Sequence, residues 1–441
     1  MEPLWVGIGG IGLFIVLLLL GFHVAIALAL PGIVGLFIML GTEATVRLFA
    51  TTPLEYGLNF ILVVVPLFIA MGYFAAETGM SRDMYDAAGT WLGRIKGGLG
   101  LATIGACTGF GTLTGSSIAT AVVFARVSSP EMIRHGYDKK LAYGLVSASG
   151  AIGMMIPPSV MAIIYAVVTE ESIGKLLIGG IGPGIVLALC LGGGLILLLT
   201  LRPKLGPPAT GITVTWKERF RSLPKIWPVL VVGLVVIGGI YSGIFTVTEA
   251  AAVGNFILFA LFLILSRLSR KSLSQVGAVL RETISVTAMV LLLFCFAQIF
   301  TRMLVFSGIT EIMTSTIIGL ALGKIQLVIV AGLLYILLGC FLDSISIIMI
   351  TVPIFLPIIT TLGINPIWFA MVLILATQIG LITPPLGINI FAVKGVAGSE
   401  IELTDLFKGA FPFFIFSMVA LFIVIFVPQL STWLPYQMIG H

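Results

Sequence analysis

From Leu4 to Leu20, and again from Val24 to Leu40, the chain runs without a charged side chain. Leu58–Ala76, Ile185–Leu201, Val229–Ile244, Ala252–Leu265 and Phe411–Pro428 do the same. An α-helix of about 20 apolar residues crosses the hydrocarbon of a bilayer. Inside that hydrocarbon every backbone N–H and C=O must be satisfied within the protein, which leaves only helices and closed barrels. The apolar runs do not alternate in polarity, so a barrel is excluded. Charged residues make up 9% of the chain, against roughly 25% in soluble domains. The expectation is an all-α polytopic membrane protein, whose partner along most of its surface is the lipid bilayer. The first run is too long for a removed signal peptide and lacks the small-residue cleavage site. Cys107, Cys190, Cys295 and Cys340 lie far apart within apolar runs, where they read as small buried hydrophobes and not as a metal site or disulfide framework.

The net charge of +5 sits in loops and reports orientation, not a nucleic-acid partner. Arg202, Lys204, Lys217, Arg219, Arg221 and Lys225 face only Glu218 in one loop, and Arg267, Arg270 and Lys271 form a second cluster. Both read as cytoplasmic by the positive-inside rule, with two spans between them. The segments Arg82–Lys96 and Arg134–Lys140 are also basic on balance. The 37 residues between them, Gly97–Ile133, are interrupted by Thr112-Leu-Thr-Gly-Ser-Ser117. With both flanks on one side, this stretch is expected to enter the membrane and turn back as a re-entrant hairpin.

A double proline occurs twice, at Pro157-Pro158 and 227 positions later at Pro384-Pro385. At the same offset Pro130 meets Pro357, Gly136 meets Gly363 and Gly153 meets Gly380. Five of the seven glycines and prolines between Ser116 and Pro158 are thus matched, where composition alone gives about 0.6, so the chain carries an internal duplication. The copy of the first hairpin is Lys324–Leu362, with Leu342-Asp-Ser-Ile-Ser346 at its tip. Counting spans from Lys271 places both ends of this second hairpin outside. Hairpins entering from opposite faces make an inverted-topology repeat, the signature of secondary transporters.

A helix break survives in lipid only where it is buried in protein or lines a cavity. Unwound carbonyls coordinate Na⁺, and half-helix N-termini present N–H groups to anions. Two tips and two breaks packed together are therefore expected to make two cation sites flanking one anion site. The hydroxyls agree. Thr112, Thr114, Ser116, Ser117 and Thr120 crowd the first tip, and Asp343, Ser344 and Ser346 the second. Ser159, Thr383 and Asn389 sit beside the breaks. Hard oxygen ligands suit Na⁺ better than transition metals. Thr120, Ser159 and Asn389 are expected to face the substrate.

A carboxylate within a span costs at least about 2.5 kcal/mol, so Asp343 is expected to act at a cation site, with a helix cap as the alternative. Arg126 and Arg302 also interrupt apolar runs. Arg126 either reaches an anionic substrate or snorkels to the cytoplasmic interface. Glu249 reads as a helix-start carboxylate capped by Thr246 or Thr248. No zinc spacing, nucleophile–base pairing or Gly-rich loop ending in Lys-Ser/Thr is present, so neither an enzyme nor an ATP-driven pump is expected, and no cofactor beyond coupling ions.

Several motifs resemble those of the large membrane subunit of tripartite ATP-independent periplasmic (TRAP) transporters, the dicarboxylate-permease M subunit family. They are Pro66-Leu-Phe-Ile-Ala-Met-Gly72, Tyr85-Asp-Ala-Ala-Gly with Trp91-Leu-Gly, Gly115-Ser-Ser with Ala119-Thr120, Pro130-Glu-Met with Gly136-Tyr-Asp138, Ile156-Pro-Pro-Ser159 and Thr246-Val-Thr-Glu-Ala-Ala-Ala252. Arg126 departs from the small or apolar residue of the pattern. The resemblance implies an elevator-type sodium symporter of the bacterial inner membrane. Its partners would be a small four-helix membrane subunit and a periplasmic binding protein that delivers an organic anion. It maps sodium sites onto Gly153, Ile156 and Pro158 with Ser116 and Ser117, and, by the repeat, onto Gly380, Thr383 and Pro385 with Asp343 and Ser344. It divides the chain into scaffold helices and an interfacial arm (1–96), transport repeat 1 (97–183), scaffold helices with the basic loop 202–225 (184–323), transport repeat 2 (324–412) and a C-terminal helix (413–441). A stand-alone sodium/dicarboxylate symporter of the same superfamily is the alternative within transporters; a channel or membrane scaffold is the one outside them.

Overall fold

With the backbone's hydrogen bonds closed inside each segment, helices are the expected solution, and among the described residues no strand occurs. The structure, a computed structural model, describes residues 2–58, 60–207, 215–266, 270–320 and 323–438. Of the positions singled out above, Arg267 and residues 208–214 of the basic loop lie outside them, as do the chain's first residue and last three.

The chain opens with α1 (Pro3–Leu19), α2 (Val24–Gly57, kinked at Gly41), α3 (Val64–Glu77) and α4 (Met80–Leu92). The first copy of the repeat holds α5 (Gly98–Thr114), α6 (Ser117–Arg134), α7 (Lys139–Ser149), the one-turn α8 (Ile152–Met155) and α9 (Val160–Thr169). Then come α10 (Ile173–Gly179), α11 (Ile181–Leu201), α12 (Trp216–Ser222), α13 (Trp227–Gly233) and α14 (Gly239–Tyr241), the last two joined by a π-helical stretch, Leu234–Gly238. α15 (Val247–Leu265), α16 (Arg270–Phe306) and α17 (Ile309–Gly319) precede the second copy, which holds α18 (Lys324–Gly339), α19 (Ser344–Thr361), α20 (Pro366–Gly380) and α21 (Ile388–Ala397). α22 (Leu403–Phe426) and α23 (Gln429–Tyr436) close the chain. Among the described residues seven helices are long and apolar enough to cross a membrane, or up to nine if each bent pair is one span.

Both double prolines end a helix. Proline has no N–H and clashes with the preceding turn. Pro157 and Pro158 separate α8 from α9, across a 42° bend, and Pro384 and Pro385 separate α20 from α21. Each helix restart is built locally. Ser116, Ser159 and Asp343 cap α6, α9 and α19 with their side-chain oxygens, and Gly387 opens α21 in the left-handed region.

Packing crosses between the copies. The first arms α5 and α18 lie against the broken helix of their own copy, on α8 and α20. The second arms also reach the other copy: α6 packs on α21 as well as on its own α7, and α19 packs on α9 as well as on its own α20. Around this centre, α2 and α16 form the most extensive helix pair, and α3 packs on α15. Arg302 of α16 is accounted for here: it donates to Glu55 at 2.7 Å and to Thr52 at 3.2 Å, both on α2. Glu249 and Thr246 form the expected capping box at the start of α15.

Candidate functional site

The tip of the first hairpin is Gly115-Ser116. Gly115 has φ +57°, a conformation that glycine adopts without strain, and a Cβ there would stand 2.3 Å from the Pro158 carbonyl oxygen. The break therefore lies directly on the tip. Gly111 and Gly153 bring α5 and α8 into backbone contact, since a Cβ on Gly111 would reach within 2.3 Å of the Gly153 Cα. A Cβ on Gly153 would stand 2.8 Å from Thr120 Oγ1 and 3.5 Å from the Ser116 carbonyl oxygen. Thr120 donates to that carbonyl at 2.8 Å and lies 3.1 Å from Thr114 Oγ1. Pro157 and Pro158 leave the carbonyls of Gly153 and Met154 without their ordinary i+4 donors. Ser116, Thr120, Gly153 and Pro158 are thus gathered around one small set of hydroxyl and carbonyl oxygens. Ile156, in extended conformation, follows on the same break.

The second copy repeats the glycine contact but not the oxygen cluster. A Cβ on Gly380 would come within 2.6 Å of the Gly339 Cα, so α20 and α18 also touch through backbone. Its carbonyls find partners locally. Thr383 N–H donates to Gly380 O at 2.9 Å, and Asn389 N–H donates to Leu381 O at 3.1 Å. Thr383 Oγ1 turns back onto Ile379 O at 2.7 Å. The Asp343 carboxylate is engaged as a cap: Oδ2 accepts from the Ile345 and Ser346 N–H groups, both at 3.1 Å, and Oδ1 accepts from Ser346 Oγ.

The two breaks also differ in cover. Residues 156–159 are buried, whereas Pro384, Pro385 and Leu386 are exposed. The start of α11 explains this. A Cβ on Gly180 would meet the Met155 carbonyl oxygen at 2.0 Å, and one on Gly184 would meet the Ile156 side chain at 2.4 Å, so this glycine-rich segment closes over the first break. The second break has Phe407 against Gly387, and its prolines remain open.

The hairpin tips meet the broken helices through amides. Ser117 Oγ donates to Asn389 Oδ1 at 3.4 Å, joining the first tip to α21. Gln378 Nε2 donates to Ser344 Oγ and to Met161 Sδ, each at 3.3 Å, joining the second tip to α20 and α9. Ser117 and Ser344 are equivalent at the 227-residue offset. Asn389 Nδ2, Gln378 Oε1 and Thr377 Oγ1 are buried with no hydrogen-bond partner. Gln378 and Thr377 were not among the residues expected from sequence; their local mark is a Thr-Gln pair interrupting the apolar run Leu373–Gly380, which an amide that simply packs would leave as well. Ser159 is buried and caps α9, accepting from the Ala162 N–H at 3.3 Å. Arg126 is exposed on α6 and stands apart from this buried centre. Among the described residues no group of three or more His, Cys, Asp or Glu could hold a metal ion, so a cation here would be met by hydroxyl and carbonyl oxygens.

An all-helical, multi-span membrane protein with two broken helices meeting at a buried polar centre belongs to the class of membrane transporters by architecture. A family model described as "Tripartite ATP-independent periplasmic transporter, DctM component" matches residues 11–430, and the chain belongs to that family. It is 34% identical over 402 residues to the C4-dicarboxylate TRAP transporter large permease protein of Pseudomonas aeruginosa, covering 91% of this chain and 92% of that one. It is 32% identical to the isethionate TRAP transporter permease protein DctMQ of Oleidesulfovibrio alaskensis, covering 98% of this chain and 66% of that longer one. The solved structure of the Alcanivorax borkumensis YdaH transporter shares the fold, with a TM-score of 0.61 at 15% identity over 90% of both chains. The chain is thus a TRAP large permease, a multi-pass protein of the bacterial inner membrane.

Proposed function

We propose that this permease imports a small organic anion by sodium symport, with the two repeat copies in inverted topology, their hairpins re-entrant, and the buried centre moving as an elevator against α2, α3, α15 and α16. Its substrate reaches it from a periplasmic binding protein, and a small membrane subunit completes the complex. A carboxylate or sulfonate fits the printed names of relatives, which are C4-dicarboxylate and isethionate permeases.

One observation carries the reading: each hairpin tip meets a buried amide with one atom left unpartnered, the donor Asn389 Nδ2 on the amide that Ser117 touches and the acceptor Gln378 Oε1 on the amide that Ser344 touches. A buried polar group left unsatisfied costs about 1–3 kcal/mol, which a bound ligand offsets. The free donor suits an anionic oxygen. The oxygens of Ser116, Thr120, Gly153 and Pro158 suit Na⁺. Ser117 and Ser344 then report to both ligands, since each tip touches an amide of the broken helix opposite or beside it. The capped carboxylate of Asp343 acts through the tip it holds.

Energetics favour several ions per cycle. Carrying a dianion inward against 100 mV, inside negative, costs about 4.6 kcal/mol; two Na⁺ cancel this and a third makes the step favourable. The test is uptake of labelled C4-dicarboxylate or isethionate into proteoliposomes, with the binding protein supplied. Saturable uptake that needs both the inward Na⁺ gradient and the binding protein is expected. Uptake indifferent to the gradient, or never saturating, would sink the reading.

A further inference from the structure

The segment Thr215–Trp227 is a strongly charged surface that transport leaves unused. α12 opens with a capping box: Thr215 Oγ1 accepts from the Glu218 N–H at 3.3 Å, and Glu218 Oε2 accepts from the Thr215 N–H at 2.7 Å. The segment's acid is thereby occupied, while Lys217, Arg219, Arg221 and Lys225 remain cationic.

At about 100° per residue the helix sorts its side chains by angle. Trp216 and Phe220 share one side, with ring centroids 6.4 Å apart. Lys217 and Arg221 follow on one flank and Arg219 on the other. Ser222 points inward, where its Oγ accepts from Trp91 Nε1 at 3.2 Å and pins α12 to α4. The Arg219 guanidinium lies 4.8 Å from the Trp216 ring and 5.8 Å from the Trp91 ring. Its Nε is buried without a hydrogen-bond partner.

The aromatic residues face outward, with Trp216 66%, Phe220 60% and Trp227 49% exposed. The helical segment Trp216–Lys225 bends by 59° from the apolar segment Trp227–Tyr241 that follows directly. Four cations keep the first segment out of the hydrocarbon, and continuity with the second holds it at the membrane surface. Tryptophans at headgroup depth beside lysine and arginine are the chemistry of an interfacial anchor. An acidic protein or nucleic acid would meet the cations but leave three large rings in water.

We propose that α12, with Trp91 of α4, forms a binding site for the headgroup of an anionic phospholipid. Lys217 and Arg221, neighbours on one flank, meet its phosphate, Arg219, held between two indoles on the other flank, adds its charge to the surface and fixes Trp216, and Trp216, Phe220 and Trp227 enter the interface. The site anchors α4, which packs on the first hairpin arm α5.

The experiment titrates the purified full-length chain, in uncharged detergent, with dioctanoyl phosphatidylglycerol, phosphatidylcholine or inorganic phosphate, reading tryptophan fluorescence and native mass spectra. Saturable binding of phosphatidylglycerol is expected, at least tenfold tighter than phosphatidylcholine. Each surface cation contributes about fivefold, so the triple variant Lys217→Gln, Arg219→Gln, Arg221→Gln should bind about a hundredfold more weakly. The charge-conserving pair Lys217→Arg, Arg221→Lys should keep wild-type affinity. Equal binding of both lipids, an unchanged triple variant, or competition by millimolar phosphate as effective as by the lipid overturns the proposal. So does occupation of this face by a co-purified membrane subunit that shields Trp216 and Trp227.

Discussion

The carboxylate of Asp343 stands where Ser116 stands one repeat earlier, and both begin a helix by accepting from backbone N–H groups of its first turn. The shared role makes the charge less informative than its place. A helix cap is worth about 1 kcal/mol. Asp343→Ala is therefore expected to loosen the second tip, lowering stability by about that amount and sharply reducing sodium-driven uptake. Asp343→Ser restores the cap in the form the first copy uses and should recover most of both. Paired thermal unfolding and uptake measurements check this; a serine variant as inactive as the alanine one would make the charge itself a ligand. From sequence, Asp343 is visible because a lone acid in an apolar run is costly. Its engagement by Ser346 is equally local, three residues away. Gln378 was not legible in this way. Its partners, Ser344 and Met161, lie 34 and 217 positions off, and no local rule distinguishes it from an amide that simply packs.

At the scale of elements, the breaks and hairpin tips were readable because glycine and proline act within one turn of themselves. The cover over each break was not, since it depends on what another helix brings. The glycines of α11 close on Met155 and Ile156, and nothing comparable reaches Pro384 and Pro385. This asymmetry separates two otherwise equivalent variants. Replacing Pro157 and Pro158 with Ala restores N–H donors to the carbonyls of Gly153 and Met154 and removes about 3 kcal/mol of intrinsic penalty per proline. A helix continuing there would also press into the buried contacts with Gly115 and Gly180, so stability should change little while sodium-driven uptake is lost. The same change at Pro384 and Pro385 lies in an exposed turn, and should raise the unfolding temperature while impairing uptake less. Circular dichroism, thermal unfolding and uptake on the two variants give the comparison. Normal transport by the Pro157→Ala, Pro158→Ala variant would reduce the first break to a packing feature.

For the whole molecule, the arrangement that matters is which face each hairpin enters. The crossed contacts, α6 on α21 and α19 on α9, are what two copies related by a pseudo-two-fold axis would produce. Packing alone does not say which end is inside; the charges do. By the positive-inside rule the segment carrying Lys217, Arg219, Arg221 and Lys225 belongs on the cytoplasmic face, and three crossings, by α13–α14, α15 and α16, then bring the chain to the opposite face at α17. Cys107 and Cys340 are buried, and Cys190 and Cys295 are half-buried, so a background with all four replaced by Ser leaves reporters unambiguous. A cysteine at Arg221, which is exposed on α12, should react with a membrane-impermeant maleimide only in inside-out vesicles. One at Glu311, exposed in the first turn of α17, should react only in intact spheroplasts. A third at Arg134, the exposed end of the first hairpin, should follow Arg221, and a fourth at Thr361, the exposed end of the second, should follow Glu311. The two hairpin reporters are the decisive pair. If both react from one face, the hairpins enter together, the copies are parallel, and no inverted repeat exists for an elevator to use.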